Sequence, residues 1–345
     1  MSMNTRDLRV VIHGCGGRSA GFWIPRLLKQ PGVCIVGLCD YNVQLCRDLL
    51  TTRFGEVEPK PRIFEDPRQM YEQLAPDAAV IVTAHALHDE HCELALDAGC
   101  HISVEKPMAT TLDRALALGQ RVQAAGKVFQ VAFNFPYSER SHGLRQAIEG
   151  GRFGPVQALH ASISQPWRSM HRGTWRMDPS LSGGGFLHDT GTHLLQAVLY
   201  LHTAQPVQVS AQIDCLDCPV DINAAVQIRF DDDTAANLTF CGNSPSRCIV
   251  QVAGESGGVQ FTSLHGHDAT AWDAQGQEIA LPAFDKSIRH EHNFLAAIHD
   301  GQPVRSGWRD GVRVCELVEA AYASAQLGRP VDLAPARAAA SGVGR

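Results

Sequence analysis

"VVIHGCGGRSAG", residues 10–21, joins a short apolar run to a helical one through Gly14 and Gly16. Between a strand and a helix, a G-x-G pair becomes informative, because the first N–H groups of the helix point at whatever lies over the turn. Gly14 allows the tight turn, and Gly16 lets a pyrophosphate approach the backbone. The third position of G-x-G-x-x-G is Ser19, still small enough for close helix–strand packing. Further on, "VCIVGLCD" (33–40) ends in Asp40, where an acid can accept hydrogen bonds from a ribose 2′- and 3′-hydroxyl. No Arg follows at once to hold a 2′-phosphate, so NAD is favoured over NADP. The competing reading is a purely structural turn, with Asp40 capping the next helix.

The pattern extends outward from this stretch. Apolar runs "AAVIVTA", "CHISVEKP" and "VFQVAFN" alternate with helical stretches closed by Gly99 and Gly126. Strands apolar on both faces, alternating with helices, indicate a parallel sheet covered on both sides. After about Asn134 the pattern changes. "PVQALHASIS" alternates, and from Val207 come "VQVSAQID", "AAVQIRF", "AANLTF", "CIVQVAG" and "GGVQFTS" with no helices between them. This predicts a large, mostly antiparallel open sheet. The expected fold class is α/β: an N-terminal dinucleotide-binding domain over 1–134, a second α/β domain over 135–333, and a loose tail over 334–345.

Composition narrows the function. The chain has 345 residues, which points to more than one core, and its net charge of −6 argues against a nucleic-acid surface. Apolar stretches fall short of the roughly 20 residues that span a bilayer. The start lacks a secretory apolar segment. Eleven cysteines are scattered, mostly in apolar runs, which suits a reducing cytoplasm better than a disulfide scaffold.

Two further stretches carry candidate chemistry. In "SVEKPMATT" (103–111), Glu105 and Lys106 end a strand of the first sheet, at the carboxyl edge where ligands of open α/β sheets bind. Lys106 is a long cationic donor, and Glu105 could position it or meet the cofactor; the bland alternative is a solvated pair. In "SGGGFLHDTGTHLLQAVLYL" (182–201), Gly183, Gly184 and Gly185 precede a helical run. Asp189 and His193 are four apart, so on a helix they share a face and suit acid–base chemistry. The alternative is a helix-start aspartate and a core histidine. Upstream, Trp167, Arg168, His171, Trp175 and Arg176 could line a sugar site or simply anchor a loop.

These pieces together resemble the Gfo/Idh/MocA family of oxidoreductases, over about residues 7–333. The resemblance implies a Rossmann domain followed by a domain whose open sheet covers the nicotinamide and forms a homo-oligomer interface, in a dimer or tetramer. It implies Lys106, Asp189 and His193 as the catalytic group. Gly14, Gly16, Asp40, Glu105 and Lys106 would surround the cofactor, with Gly17, Arg18, Ser19 and Thr83 completing that set and His88 matching a family histidine near the nicotinamide. Ser19 departs from the third glycine, and Gln196 stands where many relatives carry a second aspartate. The implied activity is hydride transfer between NAD(P) and a hydroxyl or keto group of a sugar, polyol or related cyclic alcohol. Two alternatives stay open: an NAD-dependent glycosidase working through transient oxidation and elimination, and a non-catalytic NAD-responsive binding protein. His85, His88, His91 and Cys92 are read as structural or cofactor-side rather than as a metal site. Cys215 and Cys218 form a lone C-x-x-C, read as a loop pair.

Overall fold

In a computed structural model, residues 6–263, 269–281 and 288–333 are described, so the expected tail over 334–345 lies outside them. The chain divides into two compact units. The first comprises Met1–Ala109, Asp113–Ala132 and His290–Gly311, the second Thr110–Leu112, Phe133–Arg289 and Val312–Arg345. The expected division at 134/135 differs in one main respect: residues 290–311 cluster with the first unit. The cause is apolar burial. Phe294 and Leu295 of helix His290–Asp300 share a core with Val10, Ile12, Trp23, Ile24 and Leu27. Along the sheet edge, the Val131 N–H donates to the Ser306 carbonyl at 3.0 Å.

The first unit holds a six-stranded, all-parallel sheet in the order β3-β2-β1-β4-β5-β6. Its strands are β1 (Leu8–His13), β2 (Val33–Cys39), β3 (Arg62–Phe64), β4 (Ala78–Ile81), β5 (His101–Val104) and β6 (Phe129–Val131). Every residue of β4 is buried, as a strand covered on both faces requires. The strand order reverses between β1 and β4, the switch point at which ligands of such sheets bind. Sequence periodicity missed β3 and helix Pro67–Leu74, because a three-residue strand has too few positions to show a period.

The second unit carries a nine-stranded sheet in the order β14-β13-β12-β11-β7-β10-β9-β8-β15. These strands are β7 (Val156–Ser164), β8 (Pro206–Asp214), β9 (Asn223–Phe230), β10 (Ala235–Cys241), β11 (Arg247–Gly254), β12 (Gly257–Phe261), β13 (Ala269–Asp273), β14 (Glu278–Ile279) and β15 (Val331–Asp332). All pairings are antiparallel except β7 with β10. Along β9 and β10 buried and exposed residues alternate, so one face is apolar and the other polar. Helix Gly191–Leu201 is buried along its whole length. Among the described residues, no helix is long and apolar enough to cross a membrane.

Candidate functional site

The turn after β1 is built around Gly14. Its φ is +96°, and a Cβ there would sit 2.6 Å from the Val82 carbonyl carbon and oxygen, so only glycine fits. Its N–H donates to the Cys39 carbonyl at 2.8 Å, tying the turn to the end of β2. At Gly16 and Gly17 a Cβ would meet open space. Ser19 is buried, and its hydroxyl donates to the Gly14 carbonyl. The departure from a third glycine therefore adds a tie between helix and turn. Asp40 accepts the Cys15 N–H on Oδ2 at 2.8 Å and the Asn42 N–H on Oδ1 at 2.9 Å. Asn42, not Asp40, caps the next helix, accepting from the Gln44 N–H.

These residues fit a dinucleotide. Open space lies over Gly16 and Gly17, and an acid stands at the end of β2. A 2′-phosphate would add negative charge beside Asp40, whereas a ribose diol would donate to it. NAD is the better match on charge.

Glu105, at the end of β5, is buried and accepts on one oxygen, Oε1, from Arg18 Nε at 2.6 Å and Trp23 Nε1 at 2.9 Å. Arg18 and Trp23 are five residues apart, about 1.4 turns of α-helix, and would diverge on one. Residues Ser19–Trp23 are instead π-helical, and i→i+5 spacing brings positions five apart nearly into line. Burial pushes the Glu105 carboxyl up, but the Arg18 charge, the two hydrogen bonds and the Lys106 charge outweigh it and hold it below the ordinary carboxylate value. Lys106 follows, half-buried, with a cis bond to Pro107.

His88, expected near the nicotinamide, is fully buried. Its Nδ1 lies 2.6 Å from the Pro107 carbonyl and its Nε2 3.0 Å from the Thr83 carbonyl. Its evident task is to join the loops after β4 and β5. Burial draws its pKa below the usual value, despite the raising pull of both carbonyls and of Glu105. Thr83, also expected at the cofactor, pairs its hydroxyl with His91 Nδ1 at 3.1 Å. His91 stacks on His13 with ring centroids 3.9 Å apart, directly before the glycine turn. Among the described residues, no group of three or more His, Cys, Asp or Glu could hold a metal ion.

This stack predicts acid sensitivity. Burial, then the His88 charge, brings His91 down from 6.5 to about 4, and burial takes His13 well below its ordinary value. Both rings are therefore neutral in the fold, while the unfolded chain takes up protons below about 6.5. The stability is complete above that pH and falls as the pH drops toward 4. For His91 alone the loss is on the order of 3 kcal/mol. Thermal midpoints measured from pH 8 to 4.5 should fall on this limb, and His91→Gln should flatten it; an unchanged acid limb in the variant would contradict the assignment.

In the second unit, Asp189 does not share a helix face with His193, because the helix begins only at Gly191. Asp189 sits in the preceding turn, its N–H donating to the Gly185 carbonyl at 2.9 Å. Its Oδ2 accepts from Trp167 Nε1 and Arg176 Nε, both at 2.9 Å. Trp167, expected to line the substrate site, is buried with its indole spent on Asp189, and Arg176 forms an ion pair there. Arg176 also lies over the Trp175 ring at 4.3 Å, while Arg168 is exposed. His193 is buried, and its Nδ1 accepts the Asn134 N–H at 3.4 Å. A main-chain amide can only donate, so Nδ1 carries the lone pair in this arrangement, and the Asn134 amide engages it and orients the ring. Gln196 is buried, and its Oε1 has no hydrogen-bond partner among the described residues.

Sequence reasoning missed what holds this segment. Asp221, buried, accepts from the Gly185 N–H at 2.6 Å, the Leu187 N–H at 2.7 Å and the Tyr322 hydroxyl. A Cβ on Gly185 would overlap the Asp221 carbonyl oxygen. Burial raises the Asp221 pKa, with these three donors opposing it. No local pattern marks Asp221, because its partners lie 34 to 101 residues away. Trp23 escaped notice for the same reason, lying 82 residues from Glu105.

Comparison with known proteins matches both halves. Residues 8–133 match the model described as "Oxidoreductase family, NAD-binding Rossmann fold", and residues 142–260 match "GFO/IDH/MocA C-terminal domain". The chain is 26% identical over 360 residues to a D-glucoside 3-dehydrogenase of Escherichia coli, covering 96% of this chain and 99% of that one. It is 32% identical over 310 residues to a levoglucosan dehydrogenase of Pseudarthrobacter phenanthrenivorans, covering 73% and 79%. Its fold is similar to that of an aldose-aldose oxidoreductase from Caulobacter crescentus complexed with glycerol, with a TM-score of 0.82, 23% identity, and coverage of 95% of this chain and all of that one.

Proposed function

The chain belongs to the Gfo/Idh/MocA family of NAD(P)-dependent oxidoreductases, and from that premise we propose that it oxidises one hydroxyl of a sugar, polyol or cyclic alcohol. Lys106, Asp189 and His193 are its catalytic group. The observation that carries this reading is the segment Gly183–His193. It presents a carboxylate pinned by an ion pair and an indole, followed by a buried imidazole with its lone pair on a defined nitrogen.

Bound NAD supplies a hydride acceptor. His193 takes the proton of the reacting hydroxyl as general base. Lys106 donates a hydrogen bond to that oxygen and stabilises its developing negative charge. Asp189, paired with Arg176, accepts from a neighbouring hydroxyl of the substrate. Gly14, Gly16, Gly17, Arg18, Ser19 and Asp40 form the nucleotide side of the site. Glu105, held by Arg18 and Trp23, fixes the strand end that carries Lys106, and His88 fixes the adjoining loops through Thr83 and Pro107.

The decisive experiment incubates the purified protein with NAD and a panel of polyols, sugars and aryl glycosides, following NADH absorbance and analysing products. Net NADH with a free polyol or sugar supports the dehydrogenase. Hydrolysis of a glycoside without net NADH would replace it with the elimination chemistry, and no turnover across the panel would favour a binding protein.

Asp40→Ala should weaken NAD binding by about 10–100-fold, the loss of charge-assisted hydrogen bonds. NADP should suffer less, so the ratio of their dissociation constants should move toward NADP. An unchanged ratio would remove Asp40 from the ribose site.

The reading includes a cytoplasmic homo-oligomer, dimer or tetramer, joined through the polar face of the nine-stranded sheet. All eleven cysteines are free thiols, which suits a reducing compartment. That face presents His160, Gln227, Asn237 and Thr239.

A further inference from the structure

Cys215 and Cys218 lie in the connection between β8 and β9. The Cys218 N–H donates to the Cys215 carbonyl at 2.9 Å, and Leu216 and Asp217 both have positive φ, 47° and 59°. This is the geometry of a type I′ turn. Asp214 braces it, accepting the Leu216 N–H on its side chain at 2.9 Å and the Ile222 N–H on its carbonyl at 2.9 Å. A turn closed in this way holds its first and fourth Cα within about 7 Å. A disulfide needs roughly 4.4–6.8 Å. Of the eleven cysteines Cys215 alone is exposed, and Cys218 is half-buried, so a small reagent can reach the pair.

The turn leads within three residues to Asp221, the carboxylate that holds the Gly185 and Leu187 amides and the Tyr322 hydroxyl. The coupling is also electrostatic. Burial, then the charges of Asp221 and Asp214, pushes the Cys215 thiol up, and Tyr322 in turn feels Cys215. The pair thus borders the clamp on the segment that carries Asp189.

We propose that Cys215 and Cys218 are a reversible dithiol–disulfide site whose closure tightens the Asp221 clamp on the Gly183–Gly185 turn. The oxidant is a low-molecular-weight disulfide of the glutathione type. One protein thiolate attacks it, breaking its S–S bond, forming a mixed disulfide and releasing one small thiol. The second protein thiolate then displaces the other small thiol and closes the Cys215–Cys218 bond. Two protein thiols are oxidised, one small disulfide is reduced to two thiols, and the two thiol protons pass to them. The reduced turn already has its i→i+3 hydrogen bond, so closure moves little backbone and acts by removing the freedom of the loop to open. This inference is independent of the catalytic reading.

The test equilibrates the full chain with mixtures of glutathione and its disulfide, traps remaining thiols by alkylation, and maps the products by mass spectrometry. The expected result is a loss of two hydrogens confined to the peptide holding Cys215 and Cys218. It should reverse with dithiothreitol and be absent in Cys215→Ser and Cys218→Ser. In the oxidised protein, hydrogen exchange at the Gly185 and Leu187 amides should slow severalfold; in Cys215→Ser it should not depend on the glutathione ratio. The proposal is overturned if no disulfide forms at the most oxidising ratio, if it maps to other cysteines, or if exchange at those two amides is unchanged. Stoichiometric zinc on the pair in the purified protein would overturn it in favour of a metal site.

Discussion

His193→Ala should lower kcat by about 10²–10⁴-fold, the usual worth of a positioned acid–base group. Lys106→Ala should act in the same range, through loss of charge stabilisation at the reacting oxygen. The reason for so large an effect at His193 lies in its surroundings. The ring is buried on a helix that is itself wholly buried, and the Asn134 amide, donating to its Nδ1, fixes its orientation. Water in the space left by alanine would supply neither an imidazole base nor a fixed direction. Because the interaction operates during proton transfer, kcat and kcat/KM should fall together. NAD binding, measured by fluorescence or calorimetry, should stay largely intact in His193→Ala. Full turnover in both variants would end the assignment. A fall in NAD affinity matching the fall in kcat would move His193 from catalysis to cofactor binding.

Gly185→Ala should be the most damaging single methyl addition in the second unit. The new Cβ would occupy the position of the Asp221 carbonyl oxygen, which is main chain and cannot rotate away. Relief would require moving either the glycine turn or the Asp221 loop, and these are joined by the Gly185 N–H bond to the Asp221 carboxylate. Losing that bond would leave a buried carboxylate short of a donor. Overpacking and an undersatisfied buried carboxylate together place the cost at about 3 kcal/mol or more. Activity should disappear with it, because Asp189 hangs from the Gly185 carbonyl. Gly17→Ala serves as the control, since its Cβ meets open space and the thermal midpoint should hold or rise slightly. Equal midpoints for wild type and Gly185→Ala would refute the close approach.

The sequence by itself determined the alternation of strands and helices in the first unit, apart from β3 and helix Pro67–Leu74, the glycine turn with its acid, and the change to an antiparallel sheet after Asn134. These are local signals: periodicity of 2 or 3.6, a glycine where φ is positive, an acid ending a strand. Only the tertiary structure decided what each polar side chain touches. Trp167 and Arg176 look like substrate residues in the chain but hold Asp189, and His88 joins two loops through their carbonyls. Asp221 and Trp23 carry no local mark at all, and residues 290–311 belong with a core whose other members lie more than 150 residues earlier. The physical reason is range. Backbone propensity and patterning act over a few residues, whereas a buried charge must find its donors wherever the fold brings them.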